Sequence, residues 1–269
     1  MSKFGVTSSA VAFATQIAIE HNIKVLLITT SFKDSLVKDS FWQERKKTFS
    51  LFSGSTRGKE VETSGIVGLD RMVRSNKITP EIITDYAKIV LTNRLEIVLG
   101  VDTDLEQYNQ VREKYAQIIS LAGKYYDIVI VDLDRRVGKQ TEIDILNTSD
   151  IVVSLVSQRA KSIEKIQKMI NEGKILNEQK TVMAIGKYME GTKYNAKNIT
   201  RNLLRKKDII CTIPYNNLFF ESTQEGTVID LFLNFMRIKE KDENYNFVSE
   251  IKKLNEEIKG KIEILRMIK

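Results

Sequence analysis

Cysteine and histidine are almost missing from this 269-residue chain, which has one of each, Cys211 and His21. A single cysteine excludes an intrachain disulfide framework, which fits a reducing compartment. The same scarcity leaves no residues for a His/Cys metal site and argues against a Cys–His catalytic pair. Cys211 lies in the apolar run Ile209-Ile210-Cys211-Thr212-Ile213, where a buried structural cysteine is expected rather than a nucleophile. Proline is nearly as rare, with only Pro80 and Pro214, and no Pro/Gly/Ser-rich linker divides the chain. No apolar run exceeds strand length, so no membrane-spanning segment is expected. No secretory signal follows Met1, and a cytoplasmic location is expected. A glycine-rich dinucleotide fingerprint is missing too, which together with the scarcity of histidine sets dehydrogenase chemistry aside.

What is present is an apolar share of 42%, enough to bury one full α/β core. One large domain is the simplest organisation, although the length also allows two smaller ones. The net charge is +7, and it is concentrated. From Ser157 to Lys207 there are 13 Lys and Arg against 4 Glu and no Asp. That stretch suits a polyanion such as DNA, and it equally suits a solvated lysine-rich surface.

Apolar strand patterns alternate with helical ones along most of the chain. A hydroxyl-opened, Ala-rich helix at Ser8–Ile19 leads to the strand Lys24–Thr29. An uninterrupted apolar run of that kind suits a strand buried on both faces. Helices are expected at Val67–Asn76, Pro80–Val90 and, as one long element, Asp104–Tyr125. Strands are expected at Leu95–Gly100, Asp127–Asp132, Asp150–Val156, Thr181–Tyr188 and Ile209–Ile213. Short helices fall at Thr141–Asn147, Ser162–Asn171 and Ala196–Lys206, and Leu218–Met236 is largely helical. This order predicts an α/β fold, a doubly wound, mostly parallel sheet flanked by helices. Residues 1–238 would form that domain and 239–269 a charged C-terminal helix. The helix carries one apolar stripe, Phe247, Ile251, Leu254, Ile258, Ile262 and Leu265. Packing on the body or a second subunit is the expected use of the stripe. Glutamates at 250, 256, 257 and 263 argue against an interfacial membrane helix.

Three segments carry chemistry. Lys3-Phe4-Gly5-Val6-Thr7-Ser8-Ser9 opens the first helix, where glycine, backbone amides and hydroxyls can surround phosphates; a serine-rich helix cap would look the same. Tyr126-Asp127 through Asp132 places an Asp at the carboxyl end of a buried strand, where ligands bind in such sheets. That Asp suits Mg²⁺ held through water, or a plain turn cap. Ile213-Pro214-Tyr215 ends a strand with a rigid turn that can wall a base pocket or simply leave the sheet.

In order and spacing these segments resemble the ParA/MinD-type deviant P-loop (SIMIBI class) ATPases, including TadZ-like pilus-assembly members. The resemblance runs over most of residues 4 to 235. Thr148-Ser149-Asp150-Ile151-Val152-Val153, Ile185-Gly186-Lys187-Tyr188, Ile213-Pro214-Tyr215 and Glu225-Gly226 are similar to further family motifs. It implies ATP and Mg²⁺ as ligands, a homodimer, and a protein partner in partition, positioning, conjugation or pilus assembly. It implies phosphate or base contacts from Lys3, Gly5, Val6, Thr7, Ser8, Asp132, Lys187, Pro214 and Tyr215, with Thr7 and Asp132 flanking the metal. The family's relatives also bind DNA non-specifically.

The loop is degenerate. Val6 stands where the family has its P-loop lysine, and Met1 where it has the signature lysine. Thr29-Thr30 replace an Asp that helps position the attacking water, and Gly186 replaces an adenine-facing Asn. Arg135 or Arg136 are candidate substitutes for the missing charge. Loss of both lysines removes charge stabilisation where phosphoryl transfer needs it. Weak or absent hydrolysis is therefore expected, or a scaffold that has lost nucleotide altogether. No catalytic residue can be assigned. The family's loop also follows a central strand, and a sheet lacking it would present two unpaired edges. An upstream start, a strand supplied otherwise or a rearranged sheet would each account for this, the first being preferred.

Overall fold

β1 (Val25–Thr29) is buried at every position. Its Val-Leu-Leu-Ile-Thr sequence has no polar face to turn outward, so it can only sit inside a covered sheet. In the computed structural model, which describes residues 5–43, 65–172, 180–203 and 210–268, it does so with parallel partners on both sides. The described chain divides into two compact units, one of Ala10–Thr148 with Phe219–Phe232, the other of Ser149–Leu218 and the residues from Leu233 onward, together with the chain's first residues through Ser9.

The first unit is built on a four-stranded sheet in the order β2-β3-β1-β4. Its elements are β1, α2 (Leu36–Phe41), α3 (Gly65–Arg74), the short α4 (Ile83–Tyr86), β2 (Lys88–Leu91), β3 (Leu95–Val98), α5 (Leu105–Val111), α6 (Tyr115–Ala122), β4 (Ile128–Asp132), α7 (Lys139–Thr148) and α10 (Asn217–Glu225). Leu26 and Ile28 of β1 join Ile66 and Leu69 of α3 and Tyr115 and Ile118 of α6 in one core cluster. Burying each such aliphatic side chain contributes roughly 1.5–3 kcal/mol. α1 (Val6–Glu20) runs into this unit and ends against Arg94, whose guanidinium donates to the carbonyls of Ala18 and His21 at 3.4 and 2.8 Å. A cation on the last carbonyls satisfies groups the helix leaves open.

Two helix expectations fail in this unit. Pro80–Val90 holds only α4, and the chain then enters β2, antiparallel to β3. Asn93, at φ +59°, makes the tight turn between them, and the Arg94 amide closes it on the Leu91 carbonyl at 2.9 Å. Asn tolerates the left-handed region better than most residues, so the hairpin wins over the local helix pattern. The long helix at Asp104–Tyr125 is interrupted by a 3₁₀ turn at Arg112–Lys114 and stops at Ala122. Its start is capped as the sequence suggests, with Asp104 accepting from the Gln107 amide at 2.8 Å.

The second unit is built on a three-stranded parallel sheet, β5 (Val152–Val156), β6 (Thr181–Tyr188) and β7 (Cys211–Pro214). α8 (Ala160–Asn171) and α9 (Ala196–Leu203) pack on each other, and α12 (Tyr245–Ile268) packs on β6 and β7. α11 (Val228–Phe235) leads toward α12, with the Phe235 and Phe247 rings 6.3 Å apart. The expected stripe does the packing: Phe247, Ile251, Leu254 and Ile258 are buried, while Ile262 and Leu265 are half-buried. Glu250 faces inward and accepts a hydrogen bond from the Thr212 hydroxyl of β7. Among the described residues no helix is long and apolar enough to cross a membrane. Both sheets are mostly parallel, as expected. β4 and β5 are each the end strand of their sheet.

Removing the Leu254 side chain from this interface should be costly. Leu254→Ala is expected to lower stability by about 2–4 kcal/mol in urea unfolding. Ile264→Ala, at a position 56% exposed on the same helix, should change it by under about 0.5 kcal/mol. Equal effects would mean that α12 is not held by its stripe.

Candidate functional site

In the second unit the head of α1 is made by Gly5. Its φ of +72° lies in the left-handed region that glycine enters without strain. Its carbonyl accepts the first helical bond, from the Ser9 amide at 2.8 Å, and a second from the Ser8 hydroxyl at 3.0 Å. Thr7 is buried on the same turn, and Val6 and Ser8 are half-buried. Lys3 lies outside the described residues.

Lys187 comes to this turn from the end of β6. A Cβ built at Gly5 would stand 3.1 Å from Lys187 Cγ and 3.2 Å from Cε. The lysine stem therefore lies across the glycine, and its ammonium is one bond beyond Cε. Lys187 is itself left-handed, at φ +52°, which is costly for a residue with a Cβ. Helix starts carry partial positive charge, so a cation placed there is favoured only in company with an anion. On the other side of β6 the Tyr215 amide donates to the Tyr188 carbonyl at 3.0 Å, which fixes the exit of β7 after Pro214. Tyr215 is 48% exposed there and Met189 63%. The site thus brings Gly5, Val6, Thr7 and Ser8 to one turn, Lys187 onto it, and Pro214 and Tyr215 beside the chain that follows Lys187.

Asp132 belongs to the first unit, at the carboxyl end of β4, and is buried. The parallel register sets it opposite Thr29 of β1, whose hydroxyl donates to its carboxylate at 3.3 Å. Thr29 and Ser31 hydroxyls are 2.8 Å apart, and the Thr30 amide donates to the Asp132 carbonyl at 3.0 Å. Thr30 Oγ1 also accepts from the Asp134 amide at 2.8 Å. Thr29 and Thr30, which the sequence offers only as replacements for an acidic residue, are thus the groups that hold the end of β4. The register of β1 against β4 is the signal that would have revealed them. The side-chain groups of Thr29, Thr30, Ser31 and Asp132 are all oxygens, the ligand type a hard divalent cation takes. Tyr108 and Tyr115 hydroxyls donate to the carbonyls of Thr30 and Thr29 at 3.2 and 3.4 Å. Burial pushes the Tyr108 phenol up to about 12, so it stays a donor.

Arg136 does not serve as a spare cation. Its guanidinium grips Asp134 through Nε and Nη2, with Nε at 2.9 Å from Oδ2. Burial pushes the Asp134 carboxyl upward, and the bonds from Arg136 and its amide more than reverse that, holding it below the usual range. Arg135 is exposed on the same 3₁₀ turn.

Solved structures match over nearly the whole chain. A ParA family ATPase from Chlorobium tepidum superposes with a TM-score of 0.67 at 14% identity, covering 97% of this chain and 95% of that one. MinD of Pyrococcus horikoshii in complex with Mg-ADP gives 0.60 at 13%, covering 97% and 95%. A protein of Borrelia burgdorferi described as a plasmid partition protein, bound to AMPPNP, gives 0.58 at 14%, covering 96% and 95%. The fold is of the ParA/MinD type. No protein-family model matches the sequence, and no curated protein matches it. At such identities the likeness establishes the ParA/MinD architecture, and the chemistry has to be argued from this chain's own residues.

Gly5 is the residue whose replacement tests this turn most directly. Gly5→Ala is expected to cost about 1–2 kcal/mol in chemical unfolding, from the left-handed backbone and the close lysine stem. Gly191→Ala is the control, also at positive φ (+78°) but with nothing within 4 Å of its Cβ. It should cost less, since backbone strain acts there alone, and an equal cost would mean that the lysine contact contributes nothing.

Proposed function

We propose that the chain binds a nucleoside triphosphate with Mg²⁺ and hydrolyses it slowly or not at all. It would act as a ParA/MinD-like factor in positioning, partition, or pilus or conjugation assembly. The observation that carries the reading is Lys187 lying across Gly5 at the head of α1. A left-handed lysine against a left-handed glycine brings a cation, a helix start and two hydroxyl residues together, an arrangement that needs an anion to complete it. Lys187 and the first-turn amides would face the phosphates, and Thr7 and Ser8 would add hydroxyls. Pro214 and Tyr215 would edge the base. By family resemblance Thr7 and Asp132 would be the Mg²⁺ residues. When bound, the metal would neutralise phosphate charge; the chain's part is to hold oxygen ligands and orient them.

Slow chemistry follows from what is missing. Val6 occupies the P-loop lysine position, and Thr29 and Thr30 stand where an acidic residue would orient water. A single cation reaching in from β6 supports binding better than it stabilises the charge that develops during phosphoryl transfer. Nucleotide-linked homodimerisation and a protein partner of a partition or pilus system complete the proposal.

Calorimetric titration with ATP and Mg²⁺ tests it. Binding is expected, and Lys187→Ala should weaken it about tenfold or more, the loss of one charge-assisted contact. No uptake at millimolar nucleotide would leave the reading of a non-catalytic scaffold in its place.

A second reading has its own support. Arg159, Lys161, Lys165, Lys168, Lys197 and Arg201 are all exposed on α8, α9 or just before α8, with Glu164 and Glu172 as the opposing charges there. We propose that this face binds DNA without regard to sequence. Electrophoretic shifts should weaken steeply as salt rises from about 50 to 200 mM, and Lys165→Glu with Lys197→Glu should abolish them. A shift insensitive to salt would rule the face out.

A further inference from the structure

The main-chain pairing of β5 with β6 ends at Val156 and Ile185, yet the two chains remain tied beyond it. Gln158 makes the tie. Its Oε1 accepts from the Met189 amide at 2.7 Å, and its Nε2 donates to the Met189 carbonyl at 3.0 Å. A side-chain amide that bonds both the N–H and the C=O of one residue imitates a peptide unit of a neighbouring strand. The same Nε2 lies 3.0 Å from Thr192 Oγ1 and 3.0 Å from the Tyr194 carbonyl, so one amide spans the loop that follows β6. The far end of that loop has its own anchor, since Asn198 Nδ2 donates to the Lys193 carbonyl at 2.8 Å.

Between the end of regular pairing and Met189 lies Lys187, at φ +52°. An L residue stays in that region only when the chain on both sides of it is held. Upstream, Ile185 is paired on both sides, to Val156 and to Thr212. Downstream, the hold is the Gln158 pair on Met189, helped by the Tyr215 amide on Tyr188. We infer that Gln158 is a positioning residue: by pairing with Met189 it fixes the left-handed turn that lays Lys187 across Gly5. Its side chain reaches no phosphate itself. It acts through Lys187, and its effect on ligand affinity rests on the nucleotide reading above.

Two variants test this. Gln158→Leu removes all of these contacts at similar size, and Gln158→Glu keeps the acceptor for the Met189 amide while losing the two N–H groups of Nε2 that Met189, Thr192 and Tyr194 share. Exchange of the Met189 amide should quicken about tenfold in Gln158→Leu and less in Gln158→Glu. The Lys187 Cα chemical shift, which follows φ, should move away from its left-handed value in Gln158→Leu. Mg-ATP affinity should fall about tenfold in Gln158→Leu, and should fall no further when Lys187→Ala is already present. A loss that adds in full to that of Lys187→Ala, or an unchanged exchange rate and chemical shift, would overturn the inference. If the unsubstituted protein takes up no Mg-ATP at millimolar concentration, the nucleotide reading fails by itself. The exchange rate and the Lys187 shift then still decide whether Gln158 sets the turn.

Discussion

A strand buried on both faces has no water to satisfy its backbone, so every N–H and C=O must find a partner within the sheet. β1 meets that demand by pairing in parallel with β3 on one side and β4 on the other. Much of the first unit is consequent on it. The register aligns Thr29 with Asp132, and so it decides which hydroxyl meets the buried carboxylate. A shift of one residue would turn every side chain of β4 to the opposite face and send Asp132 elsewhere. The same constraint places the carbonyls of Thr29 and Thr30 where Tyr115 and Tyr108 can donate to them. The polar cluster at the strand ends is therefore a product of the apolar pairing below it.

The parts of the fold legible in the sequence are those where one strong local signal stands unopposed. Val25–Thr29, Ile128–Asp132 and Thr181–Tyr188 are apolar runs too short for helices, and all three are strands. The stripe of α12 could be read because its three- and four-residue spacings hold over several turns. The hairpin at β2 and β3 was hidden, since Lys88–Leu91 continues a helix-compatible pattern and only the conformation of Asn93 turns the chain back. The candidate site residues were legible only in part. Gly5, Thr7 and Asp132 carry recognisable chemistry in recognisable places. Lys187 was expected only through the family resemblance, since it stands 182 positions beyond Gly5 and no spacing rule connects them. Gln158 gives no signal at all, because a glutamine after a strand reads as ordinary surface.

β4 and β5 stand apart from the other strands in a way that composition makes plain. Ile128 and Asp132 bond to β1 through the Lys24 carbonyl and the Thr30 amide, which turns the backbone of Val129 and Val131 to the opposite edge. Among the described residues no strand pairs there. End strands are usually protected by lysine, proline or a bulge. β2 has Lys88 and a register shift, and β7 ends in proline and lies under α12. Among the described residues β4 and β5 carry no lysine, proline or bulge of that kind, being Ile-Val-Ile-Val-Asp and Val-Val-Ser-Leu-Val. Val153 is 39% exposed on β5.

On the proposed reading, the electrostatics of the site favour binding over turnover. A phosphate at a helix start is stabilised by amides that are already aligned, and one nearby cation strengthens that ground-state contact. Phosphoryl transfer asks for more, since charge grows on the transferring group and must meet donors placed for the transition state. Here the cation arrives on a four-carbon stem from β6, and its direction depends on a left-handed backbone held in place by a side-chain amide. Arg136, on the 3₁₀ turn after β4, is already occupied by Asp134. Thr29 gives its hydroxyl to Asp132. A neutral hydroxyl is a very weak base, unsuited to drawing a proton from water. Each of these features is compatible with holding a nucleotide, and none is arranged to follow charge as it moves. On the proposed function, nucleotide would thus serve as a structural ligand, with occupancy rather than hydrolysis setting the protein's state.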